Sequence, residues 1–371
     1  MLEARPRVVP SRRGLTLQPN GLDALQKLDL LEHAIRLGAR ANRVEWRQTN
    51  GAVLATLDYS ILDHPYGYLL TIVPSELELA LREEFSRRGG IFQESTSFRE
   101  LSMDQKAVQV RAERLGSSVE LSAQVIVGAD GLDSKVREAL QLPTRIKEYS
   151  EHYLFMLAGP AETFEQVARQ YLGRGRMIGF FPTRGRTYIF YYLSKGELNE
   201  LKGRGLATFK NELAGIEPDI ADSLDTIKSW DDTSYAVPKR VLVGSWVADR
   251  AALLGDAAHA LNPSWAQGAN LTLQDAVVLA ETIEESFRSD NFSVNALRPY
   301  EEARRKQSVF VQQQAERTAR ITNTENRFYH WMGKRVLRKT GQNKSLMLTA
   351  LQASCGLKDH FTLREQIQFL A

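Results

Sequence analysis

The chain has 371 residues, 25% of them charged and 43% hydrophobic, with a formal net charge of +3. That composition can build one large core or two packed domains, and charges of both signs are spread along it, which excludes the basic stripe of a nucleic-acid binder. A single cysteine, Cys355, excludes a disulfide framework or a cysteine-built metal cluster and suits a reducing cytoplasm.

The six histidines include no HExxH pattern, so no metal site is expected. No apolar run approaches the roughly 18 residues of a bilayer-spanning helix. The opening MLEARPRVVPSRRG lacks the apolar core of a signal peptide; its residues 2–14 read as the end of a strand entering a loop. Leu22, Leu25, Leu28, Leu31 and Ile35 recur at helical spacing, which predicts a helix over 20–38 capped by Gly38. Ser75 and Glu78 form an S-x-x-E capping box that opens a second helix, closed by Gly89 and Gly90. GIFQES, AVQVRAE and SVELSA alternate as hairpin strands do. VIVGADG (125–131) reads as a buried parallel strand ending in a sharp turn.

From about 150 to 240 the texture becomes aromatic and β-branched, as in a mostly antiparallel sheet. AALLGDAA (251–258) returns to the first texture, and beyond about 268 the chain reads as helices. The expected fold class is α/β. A discontinuous nucleotide-type domain over 1–70, 71–148 and 245–300 is interrupted by a β-rich domain over 149–244, with C-terminal helices over 301–371. The basic run HWMGKRVLRKTGQNK (330–344) reads as a solvated helix face, with a membrane-surface patch as the alternative.

The densest chemistry lies in LLGDAAHALNPSWAQGANLTLQDA (253–276). Gly255 lets backbone approach a ligand closely. Asp256 falls at the carboxyl end of a strand, where open α/β sheets bind ligands, and its carboxylate can accept hydrogen bonds from a polyol. Pro263 stiffens the loop. Ala266 to Asn270 open a helix whose buried face is expected at Leu273, Ala276, Val277, Ala280 and Ile283. The free N–H groups and positive dipole end of that helix, among small residues, suit a flat ring that turns negative on reduction, as a flavin does. His259 reads as a loop-fixing residue rather than a catalytic one.

GDAAH followed by P-x(3)-QG-x-N and DA resembles the flavin motif of the class A FAD-dependent monooxygenases, the para-hydroxybenzoate-hydroxylase-like aromatic hydroxylases. VIVGADGLDSKVREAL (125–140) resembles the same family's A-D-G-x-x-S-x-V-R motif through Asp130, Gly131, Ser134 and Arg137. YEEARRKQ (300–307) resembles its following helix. The resemblance implies an FAD-binding Rossmann-like domain of the glutathione-reductase type. Asp256 would hold the ribityl chain, and the backbone at Gly255, Pro263, Gly268, Ala269 and Asn270 would face the isoalloxazine ring. Asp130 would lie near the pyrophosphate, supported by Arg137. Glu3 would bind the adenosine ribose, and Arg12 occupies the place of an FAD-contacting arginine. The implied reaction is NADPH- or NADH-dependent hydroxylation of an aromatic or similarly activated small molecule by O2, through a flavin C4a-hydroperoxide. No separate nicotinamide site, transmembrane segment or nucleic-acid partner is implied, and monomer and homodimer are both compatible.

The chain departs from the family in several places. It carries no G-x-G-x-x-G, the unit that seats the FAD pyrophosphate. A truncated reading frame, a remnant that binds flavin poorly, or a second chain supplying the unit would each account for this. Ala266 replaces a frequent glycine, and Pro74 replaces an FAD-contacting side chain. A flavin halogenase is disfavoured because no Trp-x-Trp pair occurs, whereas an FAD-dependent reductase without oxygen insertion remains an alternative. The substrate is expected near RMIGFFPT and TYIFYYL. Phe180, Phe181, Tyr188, Phe190 and Tyr192 are candidates for its lining, at most half of them by strand alternation.

Overall fold

The computed structural model describes residues 1–104 and 106–370, without the Leu370 side chain. Strand β1 (Leu15–Leu17) leads into helices α1 (Pro19–Lys27) and α2 (Leu31–Leu37). Pro19 starts α1 because the first helical position needs no N–H partner. The single helix expected over 20–38 is broken at Asp29, whose φ of +59° no right-handed helix can accommodate. Gly38 is not a left-handed cap: its backbone is extended, and a Cβ there would stand 2.8 Å from Leu70.

Strands β2 (Ala39–Gln48), β3 (Val53–Asp58) and β4 (Leu69–Ile72) precede helix α3 (Pro74–Arg87). The expected capping box is absent. Pro74 occupies the first turn, Ser75 Oγ accepts from the Ser11 N–H at 3.0 Å, and Glu78 pairs with Arg82 and Arg5. A meander of β5 (Thr96–Met103), β6 (Val108–Arg114) and β7 (Ser117–Ala123) follows. Next come β8 (Ile126–Gly128), α4 (Lys135–Ala139) and β9 (Thr144–Glu148). The aromatic segment forms β10 (Glu151–Ala158), β11 (Gln166–Gly173), β12 (Arg176–Thr183) and β13 (Arg186–Ser194). Helices α5 (Glu197–Gly203) and α6 (Leu206–Ile216) lead to β14 (Thr233–Ala236) and β15 (Lys239–Val243). After β16 (Val247–Ala248), β17 (Ala251–Leu253) and α7 (Asp256–His259) come α8 (Gly268–Arg288), α9 (Val294–Thr322), α10 (Arg327–Gln342), α11 (Lys344–Ser354) and α12 (Leu363–Leu370).

The largest sheet runs β1-β4-β2-β11-β12-β13-β10-β14, with β3 added beside β2. It is therefore wider than the β-rich segment expected over 149–244, because strands from 15–72 join it. The join is the parallel pairing of β2 with β11, in which each strand satisfies the other's open edge. One sheet face buries Phe164, Tyr171, Phe180 and Tyr191 against α5 and α6. The other carries Val44, Tyr153, Phe181 and Tyr188 toward Met347 and Leu351 of α11.

A smaller sheet places β8 parallel to β17, with β16 on the far edge. β8 is parallel as expected but less buried: it pairs only with β17, and Val127 is 37% exposed. The buried face of α8 also differs from expectation. Val277 is buried, but Ala280 is exposed, and the face instead includes Leu271, Asp275 and Leu279. The acid is drawn inside because its partners are there.

Candidate cofactor and substrate site

β17 delivers the chain into a tight turn at Gly255, whose φ is +60°, and a Cβ there would meet Thr272 Oγ1 at 2.6 Å. Only glycine meets both conditions without strain. Asp256 opens α7 with its side chain exposed. Its Oδ1 lies 4.0 Å from where a Cβ would stand on Gly268, the first residue of α8. No side chain caps α8, so the N–H groups of Gly268, Ala269 and Asn270 have no partner within the helix. Asp256 and the positive end of α8 thus share one small opening.

The loop between them is held from several sides. Pro263–Trp265 form one 3-10 turn, and Ala266 follows in the left-handed region at φ +50°. That conformation is the physical reason a glycine suits this position. Gln18 donates to the Trp265 carbonyl at 2.6 Å, and Trp265 Nε1 donates to Thr318 of α9 at 2.9 Å. Asn270 is fully buried. Its Nδ2 donates to the carbonyls of Ala266 and Thr16, and its Oδ1 accepts from the Gln18 N–H at 2.9 Å. Gln267 and Asn20 exchange hydrogen bonds beside it. This buried amide network ties the start of α8 to the start of α1. The Gln-Pro-Asn that opens α1 is its one signal in the sequence.

Beneath the loop lies a buried polar triad. His259 Nε2 and Asp275 Oδ2 are 2.5 Å apart, and Arg304 Nε donates to Asp275 Oδ1 at 2.8 Å. All three residues are buried, and the His259 ring packs on Trp246 with centroids 4.7 Å apart. His259 is a fastening between α7, α8 and α9, in keeping with the loop-fixing role expected of it.

Three of the expected cofactor residues direct their charge to the protein. Asp130 accepts from Ser134 Oγ and from the N–H groups of Lys135 and Val136, so its carboxylate caps α4. Glu3 accepts from the Arg5 side chain at 3.1 and 3.0 Å, which lowers its pKa, and joins Arg82 of α3. Arg12 pairs with Asp232 ahead of β14 at 3.2 Å. Neither Glu3 nor Arg12 belongs to the Asp256 cluster. Arg137 is buried and bridges the carbonyls of Leu132 and Ala257 at 2.9 and 2.8 Å, which binds the Asp130 turn to the Asp256 turn.

The loop also forms one end of a cavity of about 500 Å³ between the large sheet and the C-terminal helices. Trp46, Tyr59 and Phe181 line its sheet wall, Met332 and Val336 its α10 wall, and Ser264 to Ala266 its loop end. Most of the lining surface is apolar, with Gln18, Gln170, Gln314, Arg317 and Arg320 among its polar side chains, and Gln18 Oε1 is buried without a partner. Of the five aromatics expected here only Phe181 lines the cavity. Phe180 faces the opposite core, while Tyr188, Phe190 and Tyr192 share the Phe181 face but pack among one another. One lining residue of the five is within the at most half expected, although four of the five share one sheet face. The three from β13 are spaced by two, and Phe181 is paired with Tyr188 in the neighbouring strand. Trp46, Tyr59 and Trp265 were not anticipated, because nothing in the sequence tells which face of β2 meets α10.

Residues 1–318 match the family described as "FAD binding domain". The chain is 29% identical over 290 residues to 6-methylpretetramide 4-monooxygenase of Streptomyces rimosus, covering 76% of this chain and 68% of that one. It is 24% identical over 285 residues to pentachlorophenol 4-monooxygenase of Sphingobium chlorophenolicum, covering 74% of this chain and 52%, about half, of the relative. The crystal structure of p-nitrophenol 4-monooxygenase from Pseudomonas putida superposes with a TM-score of 0.81 over 97% of this chain and 92% of that one, at 19% identity, which establishes the shared fold. The chain belongs to the FAD-binding-domain family and stands in it with the FAD-dependent monooxygenases of the aromatic-hydroxylase type.

Proposed function

We propose that the chain hydroxylates an apolar aromatic molecule held in the 500 Å³ cavity, with FAD seated between that cavity and the turn at Asp256. The observation that carries this reading is the uncapped start of α8 facing Asp256, joined to the cavity by the loop through Ser264 to Ala266 that lines it. The residues fit a flavin. Gly268 has no neighbour nearer than 4.0 Å to its absent Cβ, which leaves room for a flat ring against the backbone. The helix end favours the negative charge of a reduced ring. The exposed Asp256 carboxylate suits the hydroxyls of the ribityl chain. Pro263 and Ala266 hold the loop, and the N–H groups of Gly268, Ala269 and Asn270 would donate to the polar groups of a bound flavin.

Bound and reduced by NAD(P)H, FAD supplies the activation of O2 and the transfer of one oxygen atom. The chain's own residues place the substrate and keep water out. Trp46, Tyr59, Phe181 and Trp265 offer flat apolar walls to an aromatic ring. The unpartnered Gln18 Oε1 offers an acceptor to a substrate hydroxyl, since a buried acceptor without a donor is unfavourable. One relative is named for pentachlorophenol, a phenol, which suits a ring carrying a hydroxyl. The test is to load the full chain with FAD and measure NAD(P)H-dependent O2 uptake over a panel of phenols. Coupled uptake with a product heavier by one oxygen is expected. A reduced product without added oxygen would favour the reductase alternative. Failure to retain FAD at all would refute both.

A further inference from the structure

Helix α10 presents two unlike faces. Met332, Val336, Leu337 and Thr340 face the cavity. Phe328, Trp331, Arg335 and Arg338 follow at i, i+3, i+7 and i+10, and so fall within one sector of about 80° on the outer side. Phe328 is 62% exposed and Trp331 52%, a concentration of aromatic surface within one turn. The Arg335 guanidinium lies over the Trp331 ring at 5.7 Å. Helix α12 packs against α10 and adds exposed Leu363 and Ile367, one turn apart.

The charge is as uneven as the exposure. Arg327, Lys334, Arg335, Arg338 and Lys339 lie on α10, which has no Asp or Glu. The whole chain is only +3, so the remainder of the molecule is slightly net negative and this helix is a local cationic excess. Arg174, exposed in the turn between β11 and β12, acts on His330 together with Lys334 and extends the positive field. A two-fold contact with a second copy would set this cationic helix against itself. Exposed aromatic rings among Lys and Arg instead match the interface of an anionic bilayer, where rings enter the headgroup layer and cations meet lipid phosphates.

We propose that the outer face of α10 docks on membranes containing anionic lipid, and that the cavity behind it receives its substrate from that surface. The docking stands on the surface of α10 alone, whereas the substrate route rests on the hydroxylation reading above. The experiment therefore measures binding without turnover. The FAD-loaded full chain is floated with vesicles of phosphatidylcholine alone or mixed with phosphatidylglycerol. It should float with the anionic vesicles only, with a blue shift in tryptophan fluorescence, and added salt should weaken binding at least about tenfold. Two double variants, Phe328→Ser with Trp331→Ser and Arg335→Glu with Arg338→Glu, should each lower the bound fraction at least about tenfold. None of the four residues lines the cavity, so flavin content and oxidation of NAD(P)H with a water-soluble phenol should stay unchanged. Absence of flotation, or equal binding to neutral vesicles, overturns the proposal. A concentration-dependent dimer that the same variants dissolve also overturns it and assigns the face to a second copy.

Discussion

Replacing Asp275 by alanine tests whether the buried triad holds the site together. Its carboxylate is fully buried between His259 at 2.5 Å and Arg304 at 2.8 Å. Alanine leaves the Arg304 guanidinium, itself 6% exposed, without its counter-charge. Breaking a buried pair in this way costs about 3–5 kcal/mol. For a chain of this size that corresponds to a fall in Tm of roughly 4–6 °C. Removing both charges, with Asp275→Leu and Arg304→Met together, leaves no orphaned ion and should recover at least about half of that loss. The assay is chemical unfolding of wild type, Asp275→Ala, Asp275→Leu, Arg304→Met and the double variant, followed by tryptophan fluorescence. Trp246 is a local reporter because its ring packs on His259 at 4.7 Å. Additive losses in the double variant, or a loss below about 1 kcal/mol for Asp275→Ala, would refute the idea that these charges act as one fastening.

Further outcomes follow from the same geometry. Gly268→Ala should leave the fold as stable or better by up to about 1 kcal/mol, since alanine favours helix, yet weaken FAD binding by crowding the opening beside Asp256; calorimetric unfolding and flavin titration together separate the two. Ala266→Gly relieves a left-handed alanine at φ +50° and should stabilise the chain by no more than about 1 kcal/mol; a clear loss of stability would contradict the strain assigned there. Arg137→Met removes two charged hydrogen bonds that join the Asp130 and Asp256 turns, and should cost about 2–4 kcal/mol and loosen flavin retention, read by unfolding and by desalting. Burial, with Lys334 and Arg174 nearby, lowers the His330 pKa below the usual histidine value. The unfolded chain then binds the extra proton first, so this residue's contribution to stability is present above the ordinary histidine pKa and is lost as pH falls through the lowered one. Lys334→Gln should move the His330 titration upward when followed by NMR, and no movement would remove Lys334 as a cause.

Much of the site was legible in the residues because its signals are local. Gly255 and Asp256 after an apolar strand, Pro263 in the loop and small residues at the start of α8 each act through their own backbone, and the structure places them in one opening. Several errors were local too. The 20–38 periodicity concealed a left-handed Asp29, and the Ser75 hydroxyl was taken by the distant Ser11 N–H instead of its own helix. Charged residues were the hardest to place. Glu3, Arg12 and Asp130 could each serve a ligand or the protein, and only the tertiary structure shows the partners they have within the chain, at Arg5, at Asp232 and at the start of α4. The sequence by itself determined the strand-turn-helix chemistry around Asp256, since backbone sterics and helix ends need no distant partner. The tertiary structure alone decided which strands of 15–72 join the large sheet, which aromatics face the cavity and why Asp275 is buried, because sheet edges, cavity walls and buried charges are completed by residues far away in the chain.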